Sequence, residues 1–155
     1  MSGRARVTSV LMDHPSLSDA ILSAYRAALY RIHGEPAIDM MIGEENGAVA
    51  ALLARHGVSS AVFVTAFNPF GRELSAEQNA ARQHMLEARI AQSGLTALPG
   101  EGRDPKGIWT AEASFLVLGA DTHDADDFML AFEQNAVVVV MSDGLPQLRV
   151  HPRYR

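Results

Sequence analysis

The chain has no cysteine among its 155 residues, and that absence removes disulfides, thiolate nucleophiles and cysteine-ligated zinc together. It agrees with a reducing compartment. No apolar run approaches the roughly 18 residues that a spanning helix needs, and the first residues lack the basic segment and apolar stretch of a secretory leader. The expectation is a cytoplasmic protein with no membrane part. Basic charge is also in short supply: 13 Lys and Arg against 18 Asp and Glu leave a formal net charge of -5. That balance argues against a protein whose main work is neutralising nucleic-acid phosphates. Aromatics make up only 6% with a single Trp, too few to supply the exposed base-stacking surface of an RNA-binding sheet.

What is present is an ordinary globular composition, 48% hydrophobic and 20% charged, in a length that suits one domain with a full core. Residues 1–15 read as a flexible tail and 16–155 as a single domain. The spacing of Ala20, Ile21, Ala24, Ala27, Ala28 and Ile32 predicts a helix over 18–32. An edge strand follows over 37–42, then a helix capped by Asn46 and closed at His56-Gly57. Val58 to Phe67 is apolar on both faces and reads as a central strand covered from two sides. Ser75 and Gln78 form a capping box that opens a helix to about Ser93.

Leu95 to Leu98 reads as a short strand, and Pro99 to Gly107 as a long glycine-proline loop. Residues 108–118 form a strand, Asp121 caps a helix, Ala136 to Met141 is a buried strand, and Asp143-Gly144 turns toward a last strand. The second half reads β-α-β-β-α-β. The predicted fold is α+β: a single two-layer domain, its mixed sheet built on a ferredoxin-like βαββαβ core with an N-terminal helix plus βα addition.

The most telling run is Gly107 to Gly119. Period-2 alternation places Trp109, Ala111, Ala113, Phe115 and Val117 on one wholly apolar face, while Ile108, Thr110, Glu112, Ser114, Leu116 and Leu118 share the other. A carboxylate and two hydroxyls between Ile and Leu do not make a solvated face; they mark a half-buried polar network or a pocket. Glu112 is the first catalytic candidate. Arg82 is the second anomaly, a guanidinium beside the apolar stripe of its helix with Asn79 one turn earlier. Either it snorkels to water, or it meets a carboxylate, with Glu112 and Asp104 as the candidates.

The glycine-rich loop, with Gly100, Gly102 and Arg103, offers amides and a cation that suit an anion; a plain connection with Asp104-Pro105 as a turn explains it equally. Asp121, His123, Asp124, Asp126 and Asp127 crowd one helical turn, where capping and the helix dipole account for them better than a metal. Ser114 lacks the elbow and the histidine of a serine nucleophile. Asn68, Gln134 and Asn135 are amides at element ends, of the sort that cap or turn a chain.

From Thr65 to about Val150 the chain resembles an uncharacterised bacterial family, domain of unknown function 3293. The resemblance runs through Thr65-Ala66-Phe67-Asn68-Pro69, Asn79 with Arg82, Gly100-Glu101-Gly102-Arg103-Asp104-Pro105, Trp109, Glu112, Ser114, Phe115 and Gln134-Asn135-Ala136. Glu133 stands where that pattern has glycine, and Thr110 where proline is common. The resemblance implies a fold-sized unit and a set of polar positions, and no reaction.

Two functions follow as expectations. In the first, a small anionic or nucleotide-like ligand binds at Asn68, Asn79, Arg82, Gly100, Gly102, Arg103, Trp109, Ser114, Gln134 and Asn135, with Glu112 and Asp104 able to move a proton and with no metal or cofactor. In the second, the polar cluster is structural and the chain is a non-catalytic adaptor for a protein partner or a second copy of itself.

Overall fold

The computed structural model describes residues 15–155, so the tail expected over 1–15 lies, apart from Pro15, outside the described residues. The first helix, α1 (Asp19–Ala27), is capped by the Ser18 side chain, which accepts from Ile21 N. It ends sooner than the apolar spacing predicts. Leu29–Ile32 is β1, and it pairs with β2 (Ile38–Met40) in an antiparallel hairpin whose register sets Arg31 opposite Asp39. The Arg31 guanidinium donates to both Asp39 oxygens, at 2.7 and 3.0 Å. Ala28 and Ile32 extend the helical spacing by coincidence, and Tyr30 and Ile32 are buried on alternate positions as strand residues.

The helix α2 (Gly47–Arg55) starts at Asn46, as its sequence predicts. The strand β3 (Ser60–Val64) is buried at every residue, and α3 (Ala76–Gln92) carries the complete Ser75/Gln78 capping box. Then β4 (Thr96–Arg103) runs further than expected, and β5 (Glu112–Leu118) begins later. The helix α4 (Thr122–Phe132) has an Asp121/Asp124 box at its start. The strands β6 (Ala136–Met141) and β7 (Pro146–Val150) close the chain as a hairpin.

All seven strands form one curled sheet in the order β2-β1-β4-β5-β3-β6-β7, and every pair is antiparallel. This corrects the expected mixed sheet. The helix α3 joins β3 to β4, and α4 joins β5 to β6, but each crossover skips a strand: β5 lies between the first pair and β3 between the second. Strands that run the same way are therefore never neighbours. The expected two layers become three. Val62 and Val64 face Leu86 and Ile90 of α3 and Phe128, Met129 and Phe132 of α4, while Ala61 and Phe63 face Val49, Leu52 and Leu53 of α2 on the other side.

The long loop expected over 99–107 is also corrected. Gly100, Glu101, Gly102 and Arg103 lie inside β4, bonded to β1 on one edge and β5 on the other. Gly and Pro read as breakers because they usually are; here Gly100 is demanded by close packing. A Cβ on it would stand 2.3 Å from Arg31 O and 3.0 Å from the Phe63 ring, whereas one on Gly102 meets nothing within 4 Å. Two glycines on the same face of one strand should thus respond oppositely. Gly100→Ala is expected to destabilise by about 2 kcal/mol or more through backbone displacement, and Gly102→Ala to change stability by less than about 1 kcal/mol. Urea unfolding of both variants measures the contrast.

Candidate functional site

Gly102 is open because a cavity of about 750 Å³ lies over it. Register explains which side chains enter that space. Tyr30 of β1, Gly102 of β4 and Glu112 of β5 are direct cross-strand partners, so they point to one face of the sheet. The missing side chain in the middle of that row makes room between the two at its ends. Ser114 follows on β5, Phe63 on β3, and Val138 on β6. Over them lies α1, which turns Ile21, Ala24 and Tyr25 to the cavity yet buries none of its residues. The mouth is formed by Ile108, Trp109 and Thr110. Because β5 begins only at Glu112, the expected alternation holds from there on, and Trp109 turns to the cavity instead of to the opposite face.

The polar end is organised by the turn after β3. Asn68, Phe70 and Gly71 all have left-handed backbones, with φ of 49°, 50° and 77°. Asn tolerates that region and Phe does not, so the turn is strained at Phe70. The result is an Asn68 side chain with every atom engaged. Its Oδ1 accepts from Leu74 N at 3.0 Å and from Asn79 Nδ2 at 2.9 Å. Its Nδ2 donates to Glu112 Oε2 at 2.9 Å. The backbone N of Asn68 donates to Asn79 Oδ1 at 2.9 Å, which leaves buried Asn79 satisfied.

Among the described residues nothing donates to Glu112 Oε1, which is left to the cavity. Burial pushes the Glu112 carboxyl above its ordinary range, and the Asn68 hydrogen bond partly draws it back. Tyr25 is raised by burial, with the Asn135 side chain pulling it down and Glu112 and Tyr154 adding to the rise. The Tyr30 phenol is raised by burial too, with Tyr25 and Glu112 contributing; its hydroxyl donates to Tyr25 O at 2.6 Å.

Asn135 is held from the chain's last turn, where the Tyr154 hydroxyl donates to its Oδ1 at 2.6 Å. His151 braces that turn. Its Nδ1 accepts from Arg153 N at 3.0 Å, and burial, helped by Arg153 and Arg155, holds the ring below the ordinary histidine range. Arg153 in turn lies over the Phe70 ring, 3.9 Å from its centroid.

Of the residues singled out from the sequence, Asn68, Gly102, Trp109, Glu112, Ser114, Gln134 and Asn135 line the cavity, and Asn79 stands behind Asn68. The others do not line it. Arg82 meets neither Glu112 nor Asp104: its Nε donates to Ala66 O at 2.7 Å, an Nη donates to Phe132 O, and Nη1 lies 3.6 Å from Glu133 Oε1. It binds the end of β3 to the carbonyl end of α4, where a cation suits the dipole. Gln134 Nε2 serves the same seam, donating to Phe67 O and Phe132 O. Asp104 folds its own loop, accepting from Lys106 N at 3.1 Å and Ile108 N at 2.7 Å. Gly100 is packed against β1, and Arg103 lies at the far end of β4 opposite Leu29.

The acidic turn at 121–127 caps α4 and pairs outward, Asp126 with Arg149 at 2.8 Å and Arg155 at 2.7 Å. Among the described residues no three His, Cys, Asp or Glu side chains stand together as a metal site, and no helix is long and apolar enough to cross a membrane. The aromatic wall was hidden in the sequence. Tyr25 and Tyr30 both fall within the single helix expected over 18–32, whereas the structure puts one on α1 and the other on β1; the Arg31-Asp39 spacing around the His33–Pro36 turn was the signal that separates them.

Residues 64–137 match the family model described as Protein of unknown function (DUF3293), the family that the sequence resembles. The chain matches no curated protein and no solved structure. The matched segment contains Asn68, Asn79, Glu112 and Asn135, and so the whole polar end of the cavity except Tyr154 and the α1–β1 tyrosines.

Two outcomes follow from this geometry. A carboxyl raised in the folded chain binds its proton more tightly there than in the unfolded one, so stability falls as pH climbs from the ordinary carboxylate range through the raised value. Glu112→Gln is therefore expected to be more stable than the parent at neutral pH, with the advantage vanishing below about pH 4; urea unfolding across pH measures it. Glu133 occupies a left-handed helix C-cap, φ 54°, the place where the resemblance leads to an expectation of glycine. Glu133→Gly is expected to gain about 0.5 to 1 kcal/mol, relief of backbone strain outweighing a half-exposed ion pair, again by urea unfolding.

Proposed function

We propose that this protein binds a small organic molecule in the cavity between the sheet and α1, and that Glu112 is the group that recognises it or exchanges a proton with it. One observation carries the reading: a half-buried carboxyl, clamped through one oxygen by an asparagine whose own oxygen is held twice and open through the other, inside a space of about 750 Å³. That volume lies in the range of ligand pockets. A structural carboxylate has no need of such room.

The raised affinity of Glu112 for its proton supports metal-independent acid-base chemistry, since a general acid or base works best near the operating pH. An anionic or nucleotide-like ligand, the expectation drawn from Arg82, Arg103 and the glycine stretch, loses its support, because neither arginine lines the cavity. The strand order β4-β5-β3-β6 with α3 and α4 on one face supports a ferredoxin-like core for that portion, extended by β1, β2 and β7.

The adaptor reading rests on a different observation. Met85 of α3 and Leu130 of α4 are 64% and 57% exposed, on the two helices that cover the face away from the cavity. A partner or a second copy would cover them, and sedimentation across concentration reads self-association.

The cavity reading is tested by a fragment screen with ¹⁵N-resolved NMR. Fragments are expected to shift resonances of Tyr25, Gly102, Trp109 and Glu112, and Gly102→Leu, which places a side chain into the open space, is expected to abolish those shifts while the chain stays folded. Fragment binding unchanged by Gly102→Leu would sink the assignment.

A further inference from the structure

Resting on the cavity as the binding site, we infer that its ligand is a small organic cation, an ammonium or amidinium group set on Glu112 with an apolar body against the aromatic wall. The wall contains two carboxylates, Glu112 and Glu73, and no Lys, Arg or His. An anion entering it would meet like charge with no cationic side chain on the wall to offset it, Arg153 lying behind Phe70 outside the lining. A neutral ligand without an N–H or O–H would leave Glu112 Oε1 unanswered, and one with such a donor would lack the charge that makes a cationic donor the stronger partner of a carboxylate.

The remaining surface suits the same class. Tyr25, Tyr30, Phe63, Phe67, Phe70 and Trp109 contribute six aromatic rings. A cation over such a ring gains about 0.5 to 2 kcal/mol, most when water is excluded. The protein already uses one of these rings in that way, through Arg153 over Phe70. Primary ammonium groups would also find acceptors in the Tyr25 hydroxyl and the Ser114 oxygen, both on the wall.

Charge regulation follows from the neighbours of Glu112. The groups that act on it are Tyr25 from α1, Tyr30 from β1 and Asn68 from the turn after β3, with Asn135 and Tyr154 behind Tyr25. None of them is a cation. A carboxyl held above its ordinary range keeps its proton to higher pH than a free one, and a bound cation, by favouring the charged form, displaces that proton wherever it is still held. Binding is expected to strengthen as pH rises through the value of the free site.

Four single-ring probes separate the possibilities: benzylammonium, benzyl alcohol and benzoate, of nearly equal size, and the bulkier benzyltrimethylammonium, each titrated by ¹⁵N-resolved NMR into the full chain, Glu112→Gln and Gly102→Leu. Both cations are expected to bind at cavity resonances more tightly than benzyl alcohol, and benzoate least. Glu112→Gln is expected to weaken the cations by about tenfold or more, the scale of a lost charge-assisted contact, while leaving benzyl alcohol unchanged. If benzoate or benzyl alcohol binds in the cavity as tightly as benzylammonium, or if Glu112→Gln leaves the cations unaffected, the cation assignment is overturned and the cavity as a binding site stands. If no probe perturbs the cavity in the full chain, the binding site itself falls with it.

Discussion

Two amide side chains, Asn68 and Asn79, hold each other face to face at the end of β3, and the site is assembled outward from that pair. An asparagine has one acceptor oxygen and one donor nitrogen to place. Here Asn79, buried on the first turns of α3, fixes both the backbone and the side-chain oxygen of Asn68, so the orientation of the amide is set and its nitrogen is turned to Glu112. A left-handed backbone at Asn68, four residues beyond the end of β3, turns the chain so that its side chain reaches Glu112 on β5. The strain is taken up next door, at Phe70, whose N donates to Glu133 O.

Side by side with this clamp runs a second polar seam that does no more than join elements. Arg82 and Gln134 converge on Ala66 O, Phe67 O and Phe132 O, carbonyls freed where β3 ends and α4 stops. Such groups must be satisfied when buried, and a guanidinium with its several donors answers more of them than any neutral side chain. The arginine that looks anomalous on its helix is thus explained by backbone ends on two other elements, which no helical wheel displays.

How far the sequence discloses this depends on the range of the interaction that makes each part. Capping boxes are local: Ser75 with Gln78 and Asp121 with Asp124 are legible three residues apart, and they begin helices as read. The isolation of Glu112 on an apolar face is equally local and survives in the structure. The strand β1 is not legible, because Ala24, Ala28 and Ile32 keep helical spacing across a break unmarked by Gly or Pro. Gly100 and Gly102 read as loop residues because their reasons lie across the sheet, on Arg31 and Phe63 for one and in an open cavity for the other. The antiparallel sheet, too, is a matter of which strand is inserted between crossovers, and that is decided by partners far apart in the chain.

The helix α1 forms a wall of the cavity while burying no side chain of its own. The space beneath it is thus bounded on one side by a hydrogen-bonded sheet and on the other by a helix that meets the sheet through the Tyr30 hydroxyl on the Tyr25 carbonyl. A change of side chain at Ile21, Ala24 or Tyr25 therefore resizes the cavity without touching a strand, so the volume of the site is written in the helix and its chemistry in the sheet.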